Sequence, residues 1–492
     1  MPPSKTESLA LPSDLQRHSG AFPADTSLTG LEAACARAIA RAQFLRRPIA
    51  VAASEPAPKA VDPLAALAAL GSEESAGAPA RRFYFEQPVS GFALAAGGSA
   101  GIEFGKEPTP RQALETALAD AEAWAPEDQS PIGAHAVGGF AFFDTLDAQQ
   151  WPGFEPADLV LPAWAVVRKD GTPHSLVQTF VSARDDAATV ARRLIARLAR
   201  VRAAASAPLP EGGTVPVRVE GLDPQDARPH WMQVVRSARD AVRKGRLRKV
   251  VLARPLDLTC TPAPDPLALL VRLRTAYPEC YTFLADPGAG LVYLGASPER
   301  LAHMQEGRVS LGALAGTFPR GATPEADAAL KRMILESPKE REEHGIVVDT
   351  IREAVAGFGR VDLPDEPEVR PLKNVWHLFT PIALIPEGRV SLLALVERLH
   401  PTPAVGGLPR EPALDLIRSL ESFDRGWYGS PLGWLNAHGD GEFAVTLRSG
   451  VVSGNKVRLF AGGGIVADSD PEREFEETRI KFQPLLGALG QE

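Results

Sequence analysis

The stretch YTFLADPGAGLVYLGASPER, residues 281–300, decides the fold class. Two short apolar runs, 281–285 and 291–294, flank the turn Pro287-Gly288-Ala289-Gly290, which is the pattern of a β-hairpin. The second run leads directly into Gly295-Ala296-Ser297-Pro298-Glu299-Arg300. Upstream, Lys249-Val-Val-Leu-Ala-Arg254 reads as a buried strand with charged ends. Before it, residues 230–245 carry helical periodicity and stop at Gly245. Farther out, 28–45, 111–125 and 187–205 read as helices, and 83–85, 91–94, 160–167 and 175–181 as strands. Residues 1–27 read as flexible, the Ala/Pro/Ser-rich stretch 52–79 as partly surface loop, and 207–216 as a Pro/Gly-rich connector within one domain. Strands and helices come in clusters rather than in strict alternation. That favours an α+β fold with antiparallel sheets over a doubly wound parallel one.

The balance of 45% hydrophobic and 23% charged residues is that of a soluble globular chain. A net charge of −8 argues against nucleic acid as partner, and it obliges any anionic substrate to find a locally positive pocket. Cys35, Cys260 and Cys280 lack metal-type spacing and, as an odd sparse set, suit a reducing compartment. No apolar run approaches membrane-spanning length, and the first residues lack the order of a secretory signal, so the expected location is cytoplasmic, with no membrane partner.

Two helix starts carry acidic faces. Ser337-Pro338-Lys339-Glu340 is a capping box, with Glu340, Glu343 and Val347 on one face of the helix that follows. Near the C-terminus Asp470 is an N-cap and Pro471 an N1 residue, and Glu474, Glu477 and Lys481 share a face. Between them in the sequence, Ala461-Gly462-Gly463-Gly464-Ile465 reads as a loop without side-chain bulk, whose amides can approach an anion. Two carboxylate faces of this kind suit a hard cation such as Mg2+, which takes oxygen ligands and keeps several waters. Alone, such faces are ordinary solvated helix surfaces.

The second-half strings, taken together, resemble the chorismate-utilising enzymes, which include isochorismate, salicylate, anthranilate and aminodeoxychorismate synthases. They are KVVLAR at 249–254, GASPERL at 295–301, LAGT at 314–317, KEREEH at 339–344, HPTPAVGG at 400–407, GEFAVTLRSG at 441–450, AGGGIV at 461–466 and EREFEETRIK at 472–481. They stand in the family's order over roughly residues 225–488, with a looser match at 81–98. The resemblance implies one catalytic domain over 61–492 behind a flexible or helical segment 1–60. It implies a large α/β sandwich, antiparallel sheets packed together with helices outside, and a chorismate bound with Mg2+. By position, Glu343 and Glu474 are similar to the metal-contacting carboxylates and Glu340 and Glu477 to their water-bridging neighbours. Arg448, Lys481 and the amide of Gly464 resemble the grip on the enolpyruvyl carboxylate. Gly316 and Thr317 lie where the family approaches the ring carboxylate, and His400 matches a histidine near the reacting ring.

The nucleophile is what varies in this family. Lys249 resembles the lysine that activates water, and Ala315 stands where aminodeoxychorismate synthases carry a nucleophilic lysine, so the resemblance implies water and no glutaminase subunit. The expected reaction is isochorismate formation: water attacks ring C2 as the C4 hydroxyl leaves. Water needs a base and hydroxide needs an acid. Lys249 as base must be neutral, and Glu299 as acid must be protonated, which desolvation favours. A salicylate synthase, which goes on to eliminate pyruvate, shares these residues, and a catalytically silent chorismate-binding protein is the alternative of another class. The segments 426–434 and 439–449 are more similar to isochorismate synthases. Menaquinone, siderophore and salicylate routes all draw on that product.

Overall fold

The hairpin forms as the sequence reads. A computed structural model describes residues 26–71, 81–102, 104, 110–126, 129–209, 217–222, 227–321, 323–371 and 375–491. In it Tyr281–Asp286 pairs antiparallel with Val292–Ser297, Phe283 opposite Gly295 and Leu284 opposite Leu294. Side chains alternate faces with the period of two that a strand imposes. Tyr281, Phe283, Ala285 and Tyr293 enter one core, while Leu284, Val292, Leu294 and Ala296 enter another.

The hairpin sits in the middle of the larger of two sheets. Among the described residues this sheet has thirteen strands. From one edge it runs through Gly407–Leu408, Lys249–Thr261, Lys456–Ile465, Ser449–Ser453, the hairpin, Arg82–Gln87 and Phe92–Gly97. It ends with Trp164–Lys169, Thr172–Val181, Ile49–Pro56 and Glu122–Trp124. The smaller sheet has nine described strands, with Val375–Pro386, Arg308–Pro319, Arg300–Gln305, Gly441–Val445 and Pro431–Asn436 in succession. Ile49–Pro56 with Glu122–Trp124 is the one parallel pair among the described strands. The sheets pack face to face: Phe83, Phe85, Leu94 and Phe283 meet Val137, Leu432 and Phe443, and Phe92 stacks on Trp434 at 4.5 Å between centroids. Helices Thr26–Leu45, Ala187–Ala205, Pro266–Ala276 and Pro471–Ala488 cover the far face of the larger sheet. Pro338–Val355 and Leu392–Leu399 pack on the smaller one. The fold is the expected α+β sandwich of antiparallel sheets.

Four local readings change. The helix read over 111–125 ends at Ala119, and Glu122–Trp124 becomes a strand because Val51–Ala53 offers it a sheet edge; tertiary pairing outweighs the helical propensity of these residues. The single strand read over 160–167 is two, Ala157–Val160 and Trp164–Lys169, in different sheets. Within 52–79, a strand runs to Pro56 and a helix, Pro63–Leu70, starts on the Asp62 cap. The glycine run at 461–465 is no loop but the end of the strand Lys456–Ile465. The flexible reading of the first residues, much of the connector and the tail of 52–79 fall outside the described residues.

The chain crosses between the sheets twice at one place. It leaves the larger sheet at Ser297 and enters the smaller at Arg300, and it returns between Val445 and Ser449. The two crossings are tied together: the Val445 amide donates to the Glu299 carbonyl at 3.0 Å, the Ala296 amide to the Arg448 carbonyl at 3.2 Å, and the Ser297 hydroxyl to the Val445 carbonyl. Glu299 and Arg448 are therefore neighbours because of topology.

Candidate active site

A cavity of about 370 Å3 opens beside these crossings. Lys249, Glu299, Glu340, Arg448, Gly464, Glu474, Glu477 and Lys481 all line it, brought from six separate elements. Lys249 begins its strand, and its side chain lies over Gly464: a Cβ on that glycine would come within 2.6 Å of the lysine Cε. Gly463 likewise leaves room for Glu474, whose Oε2 would be 2.9 Å from a Cβ there. Gly463 and Gly464 are thus gaps filled by charged side chains from neighbouring elements. Val251 and Gly464 face each other, and the Val251 amide and carbonyl both bond on the opposite edge, to Gly406 and Arg425. In antiparallel geometry this directs Gly464's amide away from Lys249's strand, toward the edge left open where Ser449–Ser453 ends its pairing at Ser449 and Phe460.

Glu299 is 8% exposed. Burial raises its carboxyl to about 7, against the pull of Lys249 and Arg448. Arg448 has φ of +49°, a left-handed conformation that costs a side-chain-bearing residue energy, and burial lowers its pKa. Asp470 caps Pro471–Ala488 through the amides of Glu472 and Arg473. Along that helix Lys481 pairs with Glu477 at 2.5 Å and donates to the Gly462 carbonyl at 2.7 Å. Burial disfavours the Glu477 carboxylate, but Lys481, then Arg448 and Lys249, overcome this and hold its pKa low. Glu474 goes the other way, to about 7, through burial and the charge of Glu477. Its Oε2 is buried with no hydrogen-bond partner. Such an orphaned acceptor beside a second carboxylate is what a bound cation would relieve. No three described His, Cys, Asp or Glu residues form a metal cluster by themselves.

Ser337 caps the first acidic helix through the Glu340 amide. The Glu343 side chain lies outside the described residues, as do Gly316 and Thr317 beyond their place in the strand Arg308–Pro319. There the register against Val375–Pro386 breaks between Ala315 and Phe318. His400 is apart from the lining. It ends helix Leu392–Leu399, its ring edge-on to Phe142 at 5.7 Å, and burial, then Arg410, lowers its pKa to about 3. The sequence reading missed His377, Ser469 and Arg473, which also line the cavity. His377 sits in a strand with nothing local to mark it, whereas Ser469 and Arg473 flank the Asp470-Pro471 helix start and were within reach.

The family model described as chorismate binding enzyme matches residues 37–490. The chain belongs to this family. The "Salicylate biosynthesis isochorismate synthase" of Pseudomonas aeruginosa is 37% identical over 95% of this chain and 96% of its own length. The "Isochorismate synthase MenF" of Bacillus subtilis is 38% identical over 74% and 76%. Among solved structures, that of MenF, the menaquinone-specific isochorismate synthase from Escherichia coli, superposes with a TM-score of 0.73 at 26% identity, covering 93% of this chain and all of that one. The chain is thus similar in sequence and shape to chorismate-binding enzymes over nearly its whole length. No described helix is long and apolar enough to cross a membrane.

Proposed function

We propose that this protein is an isochorismate synthase that uses Mg2+ and converts chorismate by adding water at ring C2 with loss of the C4 hydroxyl. The observation that carries the reading is Glu299: a buried carboxyl with a pKa of about 7 shares one cavity with Lys249. A group so tuned is about half protonated at pH 7, against a small fraction of a per cent for an ordinary glutamate, and so has a proton to give to the departing hydroxide. As the neutral amine, Lys249, its side chain laid over Gly464, takes the proton of the attacking water. Arg448 offers a planar fork, and Lys481 and the Gly464 amide further donors, to the substrate's carboxylates. These cations answer the net charge of −8 locally. Glu474, with Glu477, Glu340 and Glu343, would hold the Mg2+, and the orphaned Glu474 Oε2 supports the assignment. When bound there, the ion would supply countercharge to the substrate's carboxylates. Such a reaction needs no ammonia and so no glutaminase subunit. The similar proteins include one named for salicylate biosynthesis and one named as menaquinone-specific, and isochorismate is the product common to both.

The test is incubation of the pure protein with chorismate and MgCl2 and separation of the products. Isochorismate as the sole new species is expected. Salicylate with stoichiometric pyruvate would make it a salicylate synthase, and binding without turnover a silent chorismate-binding protein.

A further inference from the structure

Lys249 sits at the start of a strand whose outer edge loses its partner almost at once. Gly407–Leu408 pairs only with Lys249 and Val250, and the next strand on that edge, Arg218–Glu220, begins at Thr259. The last main-chain bond of the short pairing is from the Val251 amide to the Gly406 carbonyl, at 2.9 Å. Beyond it the edge bonds to side chains. Arg425 Nη2 donates to the Val251 carbonyl at 2.7 Å, and the Ala253 amide donates to Glu421 Oε1 at 2.7 Å. The two side chains are themselves joined by two parallel bonds, Nε to Oε2 at 2.8 Å and Nη2 to Oε1 at 2.6 Å. Arg425 Nη1 reaches the Val405 carbonyl at 2.8 Å, beside Ala404, which lines the cavity. The side chains are 1% and 3% exposed, and the guanidinium lies 4.2 Å over the Phe142 ring.

We infer that Glu421 and Arg425 are positioning residues that replace the missing strand and fix Lys249 and the 401–406 loop at the cavity. Neither lines the cavity. A buried ion pair is weak evidence for stability, because an apolar pair of similar volume packs as well. What an apolar pair cannot do is bond to the Val251 carbonyl, the Ala253 amide and the Val405 carbonyl at once. These three backbone groups belong to the two segments that carry Lys249 and Ala404, so the pair sets where the Lys249 amine stands. Glu421's second role, as acceptor for a backbone amide, distinguishes it from a simple counterion. The inference rests on the reading of Lys249 as the base.

The test uses Glu421→Gln, which keeps the shape but loses one acceptor, and Arg425→Lys, which keeps the charge but loses the fork. Both are measured as the folded full-length protein with saturating Mg2+. Amide exchange at residues 251–254 reports placement, and the split between kcat and KM for chorismate reports its use. Expected are faster exchange at 251–254 and kcat lowered at least about 10-fold with KM within about 3-fold, a loss typical of a displaced general base. Wild-type exchange, or an unchanged kcat per folded site, in either variant that folds overturns the proposal. If neither folds, Glu421→Asp, a carboxylate shortened by one methylene, carries the same two readouts. Lys249→Ala is run in parallel: near-normal turnover there rejects the base reading, and the exchange result alone then decides whether the pair places the strand.

Discussion

At the scale of single residues, the site is a set of charges whose surroundings push them off their usual values. Glu299 is the clearest. Its carboxyl stands at about 7 because burial outweighs Lys249 and Arg448. An acid must be protonated to act, so kcat/KM should fall tenfold per unit as pH rises above about 7, and Glu299→Gln should lose about 100-fold or more in kcat at pH 7. A pH profile flat from 7 to 9 would remove Glu299 from the acid role. Gly464 gives a second prediction. Adding one methyl at a position 2.6 Å from the Lys249 Cε forces the lysine aside, so Gly464→Ala should depress kcat at least about tenfold while leaving Tm within a few degrees, since the far end of a flexible side chain yields readily. Wild-type turnover in that variant would mean that Lys249's pose over the glycine is not the working one.

At the scale of elements, Pro471–Ala488 shows how one helix serves two purposes. Its Phe475, Thr478, Phe482 and Leu485 are buried, and the adjoining stripe, Glu474, Glu477 and Lys481, faces the cavity. Glu474→Gln removes a carboxylate whose Oε2 has no hydrogen-bond partner, and with it a partner for the cation. The activating Mg2+ concentration should rise about 10-fold or more, the size of effect seen when even an outer-shell group of a metal is lost; an unchanged Mg2+ titration would take Glu474 out of the ligand set. This helix was legible in the sequence because its cap, its proline and its spacing are local signals. So was the Ser337 cap. The glycine strand was not, because three successive glycines look like a turn until one sees that Lys249, Glu474 and the Tyr428 hydroxyl occupy the missing side-chain space. Nor was Glu122–Trp124, whose strand exists only because Val51–Ala53 is beside it. Glu421 and Arg425 were invisible for the same reason: only the strand edge they complete shows their use.

At the scale of the whole molecule, the resemblance conveyed which motifs belong together, but the reason they meet is the double crossing between sheets at Ser297 to Arg300 and Val445 to Ser449. Placing an acid there has a consequence for stability. Glu299 and Glu474 have pKa values raised to about 7, so each favours the fold below its unfolded pKa near 4.5 and loses that contribution as pH rises through 7. His135 and His344, lowered by burial to about 4, and His400, lowered to about 3, act in the opposite sense, favouring the fold above 6.5 and losing that as pH falls. Burial lowers His174 and His303 likewise and raises Glu55, so among the described residues five histidines stand against three glutamates, and the metal-free protein should gain stability from pH 4 to about 6.5. Above that the histidine contribution is constant and only the glutamates still change. At pH 8 the fold therefore holds Glu299 ionised at a cost of roughly 3 kcal/mol, from a shift of about 2.5 units. Glu299→Gln abolishes that cost. It should melt about 3 °C above the wild type at pH 8, given the unfolding entropy of a chain this long, with the gap closing toward pH 4.5, where the wild-type carboxyl is neutral in the fold and half neutral when unfolded. The same substitution that removes activity should thus stabilise the protein, by an amount that grows between pH 4.5 and about 7 and is constant above. Equal melting temperatures at pH 8 would mean that Glu299 is not held against its charge, and with that the argument for it as the proton donor would fail.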